Sequence, residues 1–145
     1  MSLAATAAVE AWINAQSCCG QGQPLTRGAF QAGRQPRSPA DGAYALLARI
    51  PGGRGTLVAE DDTPTVARIS ALVYAGTVDA AETAAAALAS AFNTLNGDPE
   101  PCGDTGVTVL VTDNVTEPAY QPQPADSGEQ YCFQVAADFV LAKGM

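Results

Sequence analysis

The sequence predicts an α+β domain: about four strands in a mainly antiparallel sheet, two helices covering it, and a long N-terminal loop or arm. Three observations predict this. Two alternating strand-like runs lie on either side of an acidic turn between residues 43 and 75. An alanine-rich helical stretch follows directly, and a run of period two closes the pattern over residues 129–141.

The first element, residues 3–17, reads as a helix whose stripe is Val9, Trp12, Ile13 and Gln16, with Trp12 its largest apolar contribution. Residues 17–42 are rich in Gly, Gln, Pro and Arg and show no apolar period, so they read as an extended loop or arm. In the run 43–50, Tyr44, Leu46, Ala48 and Ile50 fall on one face of a pleat, and Pro51-Gly52-Gly53 stops it. The run Thr65 to Ala75 sets Ala67, Ile69, Ala71 and Val73 against Val66, Leu72 and Tyr74, as expected of a strand partly covered on both faces. Asp79 reads as a helix cap with Glu82 completing a capping box, and Asn96-Gly97 as the stop. On that helix Ala81, Ala85, Leu88, Phe92 and Leu95 recur at steps of three and four, making one face that packs on a sheet.

The β-branched run 107–112 predicts a strand with its valines on one face. The last run alternates Tyr131, Phe133, Val135, Ala137, Phe139 and Leu141 with Cys132, Gln134, Ala136, Asp138 and Val140. Its length exceeds the usual five or six residues, which suggests a strand reaching past its own sheet toward a partner. The expected core is Trp12, Tyr44, Leu46, Ile69, Val73, Leu88, Phe92, Val109, Val111, Phe133, Val135 and Phe139.

Composition bounds the chemistry. With 145 residues and 47% hydrophobic content, residues 1–145 are expected to build one core and one domain. There is no histidine, which removes imidazole-based hydrolases and histidine-ligated metal sites. Cys18 and Cys19 are adjacent while Cys102 and Cys132 lie far off, a spacing that favours free thiols over a zinc site. Glu60, Asp61 and Asp62 form the one dense carboxylate run; it could hold a divalent cation, but three consecutive acids more often make a solvated turn. Gly52-Gly53-Arg54-Gly55 lacks the residues that complete a phosphate loop. No catalytic residue, metal or cofactor is therefore expected, and the chain reads as a non-enzyme.

Charge adds a second line. Fifteen acids against seven bases give a net charge of -8, which disfavours attraction to nucleic acid or anionic lipid. Five arginines precede Thr56, against Glu10 and Asp41 only, and thirteen acids follow it. Such a split suits copies of the chain meeting through unlike surfaces. No segment has the apolar length of a membrane span, and the first residues lack a positive n-region, so a cytosolic setting is expected.

The order helix, long loop, strand, acidic turn, strand, helix, strand, proline loop, long strand resembles the tail terminator proteins of long-tailed bacteriophages, also called minor tail or tail completion proteins. The resemblance is carried by Gly42 to Leu47, Arg68 to Ala75, Ala80 to Leu95 and Gly128 to Val135, and it spans nearly the whole chain. It implies a tail-terminator-like fold and a virion protein assembled in the host cytoplasm. There it would form a hexameric ring at the head-tail junction. The ring would cap the tail tube protein, halt tail elongation and receive a head-side connector or stopper protein. DNA would pass through without sequence-specific binding. Under this reading Arg27, Arg34, Arg37, Tyr131 and Phe133 are candidate contacts to the next subunit or the tube. Glu60, Asp61 and Asp62 are candidate channel-facing or acceptor charges. The alternatives are another head-tail neck connector or stopper, or a non-viral α+β interaction domain.

Overall fold

The computed structural model describes residues 5–34, 42–50, 65–94, 99–122 and 130–143. In chain order the elements are α1 (Ala5–Asn14), β1 (Ala29–Gln31), β2 (Tyr44–Ile50), β3 (Thr65–Ala75), α2 (Val78–Asn93), β4 (Glu100–Pro101), β5 (Val107–Asp113), β6 (Ala119–Gln121) and β7 (Tyr131–Lys143). The α+β class holds, but the described residues form a sheet of seven strands in the order β1-β2-β3-β7-β5-β4, with β6 also pairing β7. The expected four are the long ones; β1, β4 and β6 are two or three residues each, too short to show a period of two. Pairings between these strands are antiparallel except β1 with β2.

Both helices pack on the face made by Ala45 and Leu47 of β2, the odd-numbered residues 67–75 of β3, and Phe133 to Leu141 of β7 at alternate positions. Alanines on both sides let α2 come close: Ala81, Ala84 and Ala85 are fully buried over a sheet face that carries Ala67, Ala71 and Ala137. Trp12, Phe92 and Phe139 meet at the centre, Phe92 and Phe139 edge-on with ring centroids 5.2 Å apart. The indole N–H of Trp12 donates to Glu100 Oε2 at 2.9 Å, so the buried ring keeps a partner for its polar atom.

Four details differ from the sequence expectations. First, Leu46 shares a face with Tyr44 as expected, but that face is the one without helices, and Leu46 is half-buried. Alternation separates the two faces without saying which is covered; here the smaller Ala45 and Leu47 go under α1. Second, a β-bulge between Val109 and Val111 turns β5 over, so Val109 is buried beneath the helices while Val111 lies half-buried on the opposite face. Third, the cap of α2 is Thr77, whose hydroxyl accepts from the N–H of Ala80 at 3.1 Å; Asp79 sits inside the first turn. The helix ends at Asn93, and Leu95 lies outside the described residues.

Fourth, the described part of segment 17–42 is built into the domain. Leu25 and Ala29 are buried, Cys19 bridges Leu25, and β1 pairs β2. The outer edge of β1 is occupied by helix side chains: the Asn14 amide donates to the Ala29 carbonyl at 3.1 Å and accepts from its N–H at 2.7 Å, and Glu10 accepts from the N–H of Gln31 at 2.8 Å. Gly28 makes this possible, because it has φ 80° and a Cβ there would stand 2.3 Å from Asn14 Oδ1.

The long strand β7 does not project beyond its sheet. Residues 131–141 pair with β3 along one edge, while β6 and β5 share the other edge in succession. Its length reflects that double duty.

Candidate interaction surface

Antiparallel register gathers aromatic side chains at one end of the sheet. Tyr44 faces Tyr74 across β2 and β3, Ala75 faces Tyr131, and Tyr120 of β6 faces Phe133. Six of the nine aromatic residues lie at this end, while Trp12, Phe92 and Phe139 fill the core. On the helix-free face Tyr44 and Tyr74 stack at 5.4 Å and Phe30 packs edge-on to Tyr44 at 6.4 Å. On the helix face Tyr120 packs edge-on to Phe133 at 5.5 Å.

The exposed large apolar side chains among the described residues are Tyr120 at 50%, Val78 at 45% and Tyr131 at 38%. They share this end, because Val78 opens α2 three residues after Ala75, the partner of Tyr131. Exposed tyrosines over a packed aromatic layer offer large contact area with little rotamer entropy to lose, the composition found at interface anchors. Asp79 and Glu82 stand exposed on the first turns of α2 beside them. At the other end of the sheet lie Arg34, past the end of β1, and Arg49, near the end of β2, both exposed.

The aromatic layer covers Cys132, which is fully buried on the helix-free face. Burial pushes its thiol up to about 11. Tyr74 beside it rises to about 12, chiefly through burial and secondarily through Cys132. Burial also raises Tyr44, against the opposing pull of the positive charge on Arg27.

The sequence-predicted residues divide as follows. Tyr131 is exposed at the aromatic end; Phe133, at 6% exposure, is instead the floor on which Tyr120 rests. Arg27 is half-buried before β1, its N–H bonded to the carbonyl of Ala43 at 3.2 Å. Arg34 forms an ion pair with Glu10 of the same chain. Arg37, Glu60, Asp61 and Asp62 lie outside the described residues. Arg27, Arg34 and Tyr131 are therefore not brought to one place: the aromatic end and the exposed arginines occupy opposite ends of the sheet.

One polar constellation was missed in the sequence. Arg68 of β3 reaches Asp138 of β7 at 3.0 Å, and Asn114 donates to the second oxygen of the same carboxylate at 2.8 Å. Beside it Gln134 donates to Ser70 Oγ at 2.8 Å. Asp138 and Asn114 line a cleft of about 260 Å³ whose apolar side is Val66, Val111 and Val140. Two opposite charges placed mid-strand among apolar residues were the available signal, but pairing them requires the β3–β7 register. Each carboxylate oxygen of Asp138 has a partner, so the network ties β3, β7 and the residue after β5 together. Among the described residues no group of three or more Cys, Asp or Glu is placed to hold a metal ion.

The geometry thus provides a sticky aromatic end, a charged far end and blunted edges. β1 is closed by Asn14 and Glu10, β4 is two residues long and ends in Pro101, and β6 lies between Pro118 and Pro122. Contacts with another molecule would therefore run through side chains rather than by adding a strand. No protein-family model matches the chain, and no curated protein matches it.

Proposed function

We propose that this chain is a ring-forming virion subunit of the tail terminator kind, one that caps the tail tube, stops tail elongation and presents the surface to which the head joins. The observation that carries this reading is the aromatic end of the sheet, with Val78, Tyr120 and Tyr131 exposed beside Asp79 and Glu82, set opposite an end that bears Arg34 and Arg49. Unlike ends of this kind fit a head-to-tail contact, which closes into a ring when the rotation matches an integral symmetry. The resemblance in element order supplies six as that symmetry, along with a tail tube protein and a head-side connector or stopper as neighbours. A net charge of -8 suits a wall past which DNA slides without being held.

The test has two parts. Electron microscopy of the virion is expected to find the chain as a sixfold ring between tube and head; a position on the head side of that joint would make it a stopper, and absence from the virion would overturn the reading. In assembly assays Tyr131→Ser combined with Val78→Ser is expected to yield folded subunits that fail to close rings, with overlong tails. Normal-length tails from that variant would remove the aromatic end from the contact.

A further inference from the structure

Adjacent residues in an extended chain point to opposite sides, so neighbouring cysteines are not thereby neighbouring sulfurs. Here a turn makes them so. The N–H of Cys19 bonds to the carbonyl of Gln16 at 3.1 Å, that of Leu25 to the carbonyl of Cys18 at 3.0 Å, and that of Gly20 to the carbonyl of Leu25 at 2.9 Å. This small closed loop after α1 holds Cys18 Sγ and Cys19 Sγ 3.6 Å apart. Cys18 lines an open cleft of about 400 Å³ between the loop and α2, in company with Ser17, Ser90 and Thr94.

We propose that Cys18 and Cys19 form a chelating dithiol that takes one soft, thiophilic centre of bent coordination, a trivalent arsenical or a d10 divalent ion such as cadmium, between the two sulfurs. Two sulfurs each about 2.3 Å from a shared centre subtend an angle of roughly 100° at it when they are 3.6 Å apart, close to a tetrahedral or pyramidal arrangement. A linear two-coordinate ion would need the sulfurs about 4.6 Å apart by the same bond length. The competing product, a disulfide, is disfavoured. Neighbouring Cα atoms stand about 3.8 Å apart, short of the roughly 4.4–6.8 Å that disulfides span, so a single bridging atom strains the loop less than an S–S bond. Cys102 and Cys132 are fully buried and apart from this site, which leaves them as internal controls.

Phenylarsine oxide is the probe. Its reaction with the pair replaces two S–H bonds by two As–S bonds, releases the oxygen as water and leaves arsenic trivalent. The reduced chain is expected to gain one arsenical by native mass spectrometry while its titratable thiols, counted in denaturant, fall from four to two. The adduct should be stripped by a competing dithiol and resist a monothiol. Cys18→Ser and Cys19→Ser should each weaken retention by about 100-fold or more, the usual gain of a second tethered contact, while Cys102→Ser leaves it unchanged. Cys19→Ser replaces the less buried thiol and keeps the test sound should Cys18→Ser fail to fold. A second readout is the thermal midpoint, which a ligand that binds only the folded chain raises. Absence of a one-to-one adduct, or one that survives in Cys19→Ser with unchanged retention, overturns the proposal. The outcome is independent of whether the chain forms a ring.

Discussion

Replacing Phe92 with alanine should destabilise the domain by about 3–5 kcal/mol, the range for truncating a fully buried phenylalanine. The structure places the value at the upper part of that range. Phe92 is 0% exposed, its ring stacks on Trp12 at 6.1 Å and meets Phe139 edge-on at 5.2 Å, and each such pair adds about 0.5–1.5 kcal/mol beyond burial. Collapse of the cavity is hindered because Thr112 donates to the Phe92 carbonyl, tying the last turn of α2 to β5. For a domain of this size the melting temperature should fall by roughly 2–4 °C per kcal/mol. Urea titration followed by the fluorescence of Trp12, the single tryptophan and a direct neighbour of the lost ring, measures the change. A loss below about 1 kcal/mol would mean that α2 does not rest on the sheet through this residue.

Three further outcomes are expected. Val109→Ala should lower stability by about 2 kcal/mol and Val111→Ala by less than about 1 kcal/mol, because the bulge leaves Val109 alone under the helices; equal losses in chemical denaturation would mean that β5 runs unbroken. Gly28→Ala should lose at least about 1 kcal/mol, since the residue has positive φ and its new methyl would meet Asn14 Oδ1; a second change, Asn14→Ala, should then add less than its separate effect, which a double-mutant cycle reads. Stability should fall as pH rises from about 9 toward 12: Tyr74 and Cys132 have folded values of about 12 and 11, above their ordinary 10.0 and 9.0, so the folded form holds protons that the unfolded chain has released. Urea midpoints across that window that stay level would show that these groups reach solvent in the folded state.

The helices and the long strands were legible in the sequence because their burial follows a strong local period. Val9, Trp12 and Ile13 on α1, and Ala81, Ala85, Leu88 and Phe92 on α2, are buried where their spacing puts them. Features set by partners elsewhere in the chain were not legible. The covered face of β2 depends on where α1 lands, the bulge that turns Val111 outward depends on the β5–β7 register, and β1 exists because Asn14 and Glu10 hold its outer edge. Of the candidate surface, Tyr131 stood out in the long closing strand, whereas Val78 and Tyr120 join it only once β6 and the start of α2 reach the same end. Nothing local in the sequence says that Arg34 meets Glu10 of its own chain. The pair Arg68 and Asp138 could have been guessed from two opposite charges in apolar strands, but nothing local says that they meet.

The position of β7 bears on how the chain is made. It is synthesised after every other described strand, yet it lies in the middle of the sheet, joining β3 to β5 and β6. Until it emerges from the ribosome, the inward edges of β3 and β5 lack their partner, and Thr65 waits for Leu141 across more than half the chain. Contacts so distant in sequence slow folding and leave strand edges open to wrong partners meanwhile. The nascent protein should therefore be most dependent on chaperones until β7 has emerged and paired, and removing even the last few residues of β7 should open the centre of the sheet rather than trim its margin.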